Sequence, residues 1–332
     1  MFYSTLICRR ILLVCGLLLA LFAGVPKAWS DELLVSDNFG NQILRFDAST
    51  GAFLGVLVSS NPAANGGLSG PIGMRLSNSG TLLVASQFTN EVLEYNRISG
   101  QFLGKWTSAS QGANLAEPAD LRYGPNGNMF IANFVGGSID QFMADGTPLG
   151  SFTSGGPGIF GSSSFAFGPN GNLYVGSFGS GDIQEFDGVS GSYLGQFVNG
   201  LGGPSGLLFD TDNSLWVASL FTDEIYHFDS AGNPLGSFST GGGTFPSHIL
   251  VNPNDSNELF VALTGAGGIY RFHKNGTFLG VFAFGGGLLV PGQMLLVSAI
   301  PEPSSLAVLG TLVGTALLGI RRRRGKTDAV TT

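Results

Sequence analysis

The long middle of this chain has no cysteine. Both cysteines, Cys8 and Cys15, sit in an apolar stretch near the N-terminus. The remainder therefore has no disulfide, no cysteine–zinc site and no thiol nucleophile. Charge is scarce as well. Charged residues are 11% of the 332, against 43% hydrophobic, which is ample for a core. Basic side chains are scarcest between residues 31 and 299, where 7 Lys or Arg face 20 Asp or Glu, a net of −13. Such a body repels nucleic-acid phosphates and has no basic patch interleaved with aromatics, which excludes nucleic-acid binding. Histidine occurs at three positions, His227, His248 and His273. No Gly-x-Ser-x-Gly elbow stands between a strand and a helix, and the glycine runs at 241 and 285 precede no helix that could cradle a phosphate.

Glycine is what the chain has in plenty, at 53 positions, a composition that suits many short strands and tight turns. The strands repeat. Leu-Leu-Val35, Leu-Leu-Val84, Met-Phe-Ile131, Leu-Tyr-Val175, Leu-Trp-Val217 and Leu-Phe-Val261 recur every forty-odd residues. Eight residues after each of these anchors comes Ile43, Val92, Ile139, Ile183, Ile225 or Ile269, and eleven after it Phe46, Tyr95, Phe142, Phe186, Phe228 or Phe272. Two residues three apart on a strand face opposite sides, so both faces of each small sheet are buried. That is the pattern of four-stranded sheets stacked radially, an all-β propeller of six blades over residues 31–299. The first unit begins at Glu32 on its second strand, and residues 291–297 match the strand it lacks. The last strand is therefore expected to close the first blade. The repeats resemble the NHL and related six-bladed propellers.

The ends read as addresses. Arg9 and Arg10, the apolar run 11–25 and Ala28-Trp29-Ser30 form a signal peptide over residues 1–30, cut between Ser30 and Asp31. Residues 300–332 hold Pro301-Glu302-Pro303, seventeen uncharged residues long enough for a transmembrane helix, then Arg321-Arg322-Arg323-Arg324. This order resembles the PEP-CTERM sorting signal. The resemblance implies an exosortase-type processing enzyme as partner and passage through the inner membrane of a Gram-negative bacterium. It further implies delivery to the cell surface or exopolysaccharide matrix. An ordinary membrane anchor is the alternative.

Function is expected on the propeller face that carries the variable loops, around the central channel. Asp37, Asp120, Asn133 and His248 are the candidate polar cluster there, for a ligand or a divalent cation. No other cofactor is expected. Six-bladed lactonases resemble this plan but use a Glu that is missing here, and streptogramin lyases use histidine. The first reading is accordingly a non-enzymatic binding or scaffold propeller, with exopolysaccharide or another surface protein as partner. The alternative is a metal-dependent, lactonase-like hydrolase or lyase acting at the channel mouth.

Overall fold

In the computed structural model, residues 31–298 are described. The expected signal peptide up to Ser30 and the expected sorting tail, with Pro301, Glu302, Pro303 and Arg321 to Arg324, lie outside the described residues. Among the described residues there is no α-helix, only two short 3-10 turns, and so no helix long and apolar enough to cross a membrane.

Twenty-four strands form six sheets of four, each antiparallel. Five blades are continuous in sequence. Blade 1 is composite: Glu32–Asp37, Gln42–Asp47 and Phe53–Val58 take Pro291–Val297 as their inner strand. Glu32 pairs with Val297 and Val35 with Met294, the closure expected from the sequence. The ring thus joins its two ends through ladder hydrogen bonds and exposes no inner edge. The other inner strands are Pro71–Leu76, Pro118–Tyr123, Ser162–Phe167, Pro204–Phe209 and Pro246–Asn252, in blades 2 to 6.

The core is six clusters, each shared by two successive blades. Ile43 of blade 1 packs toward blade 2 beside Val84 and Tyr95, while Phe46 packs toward blade 6 beside Phe260. The same division holds around the ring: the aliphatic residue eight after the anchor faces the next blade, and the aromatic three later faces the previous one. All six anchors are fully buried. The tight turns between the first and second strands of a blade rely on glycine where the chain must reverse. Gly127 and Gly171, in the two Pro-Asn-Gly-Asn turns, have φ of 78° and 83°.

Candidate functional site at the channel mouth

The inner strands start at the loop face, so their first residues line the mouth of the channel. A cavity of about 270 Å³ opens there. Its upper ring comes from the residue three after each anchor: Asn38, Gln87, Phe134, Phe178, Leu220 and Thr264. The ring has two halves. Asn38 Nδ2 donates to Gln87 Oε1 at 3.3 Å, and Gln87 Nε2 to Glu117 at 3.3 Å, an arc of amides. On the other side Phe134 packs edge-on against Phe178 at 5.5 Å between centroids, and Phe178 against Phe221 at 5.1 Å.

Below this ring lie the second residues of the inner strands: Ile72, Ala119, Ser163, Ser205, Ser247 and Gly292. The three serines each donate to a carbonyl of the next blade: Ser163 to Pro204, Ser205 to Pro246, and Ser247 to Pro291, at 2.7, 2.7 and 3.0 Å. They tie blades together and present their oxygen lone pairs as acceptors along the wall.

The floor is made by the third residues, which include Asp120, Ser164, His248 and Gln293. Asp120 is its hub. Oδ1 accepts from Gln293 Nε2 at 2.8 Å and from the Leu121 amide at 2.9 Å. Oδ2 accepts from Arg122 Nε at 3.0 Å and from Ser164 Oγ at 3.3 Å. Burial acts to raise this carboxyl, but the Arg122 and Arg75 charges outweigh it, so it lies below the usual range and stays ionised. Gln293 Oε1 in turn accepts from the Met74 amide. His248 Nδ1 accepts from the Met294 amide at 3.4 Å, which leaves the proton of the neutral ring on Nε2. Burial, then the Arg122 charge, pull His248 down to about 3. It is neutral throughout the physiological range and acts as a donor. Asp120 and His248 are the two titratable side chains lining this cavity.

Of the four residues expected to cluster here, the structure brings Asp120 and His248 to the cavity and sets Asp37 and Asn133 apart from it. Asp37 is fully buried. Its Oδ1 holds the amides of Leu289 and Val290 at 3.2 and 2.9 Å, and its Oδ2 holds Gln42. Asn133 Oδ1 holds the Ala116 amide at 3.0 Å, and its Nδ2 donates to Ser138 and Asp140. Ser86, Ser177 and Ser219 stand at the same repeat position and accept the amides of Ser69, Phe160 and Gly202. The residue two after the anchor is a staple for the loop between blades. Its side chain turns into the protein because that loop's amides would otherwise be buried unpaired.

A divalent cation does not fit these residues. Both Asp120 oxygens are taken, one of them by a guanidinium, and the Arg122 and Arg75 charges oppose a second cation. Among the described residues no group of three or more His, Cys, Asp or Glu is placed to hold a metal ion.

No family model matches this chain, and no curated protein sequence does. Solved structures do. The nidogen/laminin complex matches with a TM-score of 0.64 and 14% identity over 80% of this chain and 98% of that one. The catalytically inactive histidine-to-alanine virginiamycin B lyase of Staphylococcus aureus, with quinupristin, matches at 0.57 and 15%, over 83% and 94%. A gluconolactonase of Xanthomonas campestris matches at 0.56 and 21%, over 70% and 79%. The likeness is one of fold. The propeller fold is what these structures share with the chain.

Proposed function

We propose that the mouth cavity binds a small cyclic organic molecule bearing a carbonyl or hydroxyl edge, and that the protein acts on it as a hydrolase or lyase without a divalent metal. The observation that carries this is the two-sided lining. Phe134 and Phe178 offer an apolar face for a ring, while the amide arc and the serine wall offer hydrogen bonds to its edge. His248 supplies an N–H donor that can polarise a carbonyl, a role a neutral imidazole performs without changing protonation state. The gluconolactonase and virginiamycin B lyase among the structural neighbours support a substrate of lactone type.

The test is lactone opening by the purified chain, with glucono-δ-lactone and quinupristin as probes, above the spontaneous rate. Turnover that survives EDTA and falls at least tenfold in His248→Ala supports the reading. Turnover that appears only after calcium or zinc is added sinks the metal-free mechanism.

A second reading is a non-catalytic binder of exopolysaccharide or a surface protein. It is favoured by the exposed rings around the mouth, Phe39, Phe88 and Phe221, at 67%, 55% and 63% exposure, which suit stacking on sugar rings. Saturable binding of the same probes without turnover would select it. We propose as well that the chain is exported and sorted to the cell surface by an exosortase-type enzyme. Support comes from the signal-like residues 1–30 and the ordered Pro301-Glu302-Pro303, apolar stretch and Arg321 to Arg324. A mature protein whose mass spans Met1 to Thr332 would rule that out.

A further inference from the structure

The other end of the channel holds a second cavity, of about 400 Å³. The fifth residues of four of the inner strands line it. Blades 2 and 3 place Arg75 and Arg122 there; blades 4 and 5 place Ala166 and Leu208. Blades 6 and 1 carry Leu250 and Leu295 at the same position. The rim is aromatic, with Phe167 and Phe209. Two guanidiniums thus face a largely apolar half-ring, in a body whose charge is otherwise strongly negative.

The two arginines are not equivalent. Arg122 is committed: Nε donates to Asp120, Nη2 donates to the Leu207 carbonyl at 3.2 Å, and the guanidinium lies 6.0 Å over the Phe165 ring. Arg75 makes one hydrogen bond, from Nε to the Leu121 carbonyl at 3.1 Å, and among the described residues no carboxylate pairs with it. With Asp120 ionised and His248 neutral, the channel interior carries one uncompensated positive charge. A partly buried, unpaired charge opposes folding, and its neighbour repels it. The burden is visible in the guanidinium itself, which burial and then Arg122 pull down to about 10. Such a group is relieved by an anion.

We propose that this cavity binds a small organic carboxylate, with Arg75 holding the carboxylate and Phe167 and Phe209 covering its apolar body. One uncommitted guanidinium fork matches the two oxygens of a carboxylate. A phosphate or sulfate would meet the guanidiniums and the Tyr123 hydroxyl but would set its remaining oxygens against Phe167, Leu208 and Phe209. The site does not depend on what the mouth binds, because the layer containing Asp120, Gln293 and His248 separates the two cavities.

The experiment is isothermal titration of the full chain at low salt with benzoate, inorganic phosphate and benzyl alcohol. The expected result is saturable benzoate binding, at least tenfold weaker for phosphate and absent for benzyl alcohol. Arg75→Met should weaken benzoate at least tenfold while leaving the melting temperature unchanged or higher, since it removes an unpaired charge. Phe178→Ala, at the mouth, should leave benzoate binding intact. Absence of benzoate binding by the wild type would overturn the proposal. So would phosphate binding as tight as benzoate, retention of benzoate by Arg75→Met, or its loss in Phe178→Ala.

Discussion

The same six inner strands build both ends of the channel, yet the ends differ in chemistry. Near the mouth the strands contribute hydroxyls, with phenyl rings and amides above them; three residues further on they contribute two guanidiniums facing Ala166 and Leu208. Between the ends, one carboxylate joins the halves, since Asp120 lines the mouth cavity and pairs with an arginine that lines the other. The difference teaches where the repeat constrains the sequence. Residues facing a neighbouring blade meet the same environment six times and stay aliphatic or aromatic six times. Residues facing the channel meet each other across an axis. They vary from blade to blade because only the sum of the ring has to work.

If Asp120 is the joint, its removal should produce the largest effect on both ends. Asp120→Ala leaves Arg122 without its carboxylate and Gln293 without an acceptor, at a place where Asp120 and Gln293 are both buried. Breaking one side of a buried pair costs about 3–5 kcal/mol. Denaturant unfolding should show that loss. A change below about 1 kcal/mol would mean that the Asp120–Arg122 pair does not hold the layer between the two cavities together.

Acid should separate the ends next. His248 has a folded pKa of about 3, below its ordinary 6.5, because burial and Arg122 disfavour the imidazolium. The unfolded chain therefore binds a proton that the folded chain refuses between these values. The stability this residue contributes is fully present above about pH 6.5 and is lost as pH falls toward about 3. Between about pH 6.5 and about pH 4 the loss should be about 3 kcal/mol, at about 1.4 kcal/mol per pH unit. His248→Gln should flatten that part of the pH profile, whereas Arg75→Met should only weaken it, by removing one of the charges that disfavour the imidazolium. An equally steep profile in His248→Gln would assign the acid sensitivity elsewhere.

The blade number, the closing strand and the opposed Ile and aromatic faces were all legible in the sequence, since each rests on spacing that six copies repeat. The mouth was half legible. Counting two residues past each proline finds Asp120, His248 and Gln293, because an inner strand keeps its register from the proline onward. Counting two past each anchor finds Asp37 and Asn133 but misjudges their direction. Polar character at a loop-facing strand end looks the same whether the side chain meets a ligand or an orphaned amide. The serines at Ser86, Ser177 and Ser219 carried the missing signal: small hydroxyls at a fixed repeat position suit a local hydrogen bond better than a ligand shell. The phenyl rings three past the anchor went unread for the opposite reason. Phe134 and Phe178 look like core residues until the topology turns them toward the axis. Arg75 and Arg122 escaped notice because nothing in a strand of six residues tells which end of the channel its fifth residue meets.

The smallest effect tests the distinction between staple and lining. Asp37→Ala removes the acceptor of the Leu289 and Val290 amides, which belong to the loop leading into the closing strand. Two backbone donors would then lie partly buried without a partner, a cost of about 1–3 kcal/mol. Because Asp37 does not itself line the mouth and reaches it only through the Val290 amide it holds, the affinity of the mouth for its ligand should change less than twofold. Phe178→Ala should show the reverse: near-wild-type unfolding in denaturant, with mouth affinity down about fivefold for the loss of one ring face, near 1 kcal/mol. Should Asp37→Ala abolish mouth binding while stability holds, the residue two past the anchor would be a ligand contact after all. The loop before the closing strand would then have to move to expose it.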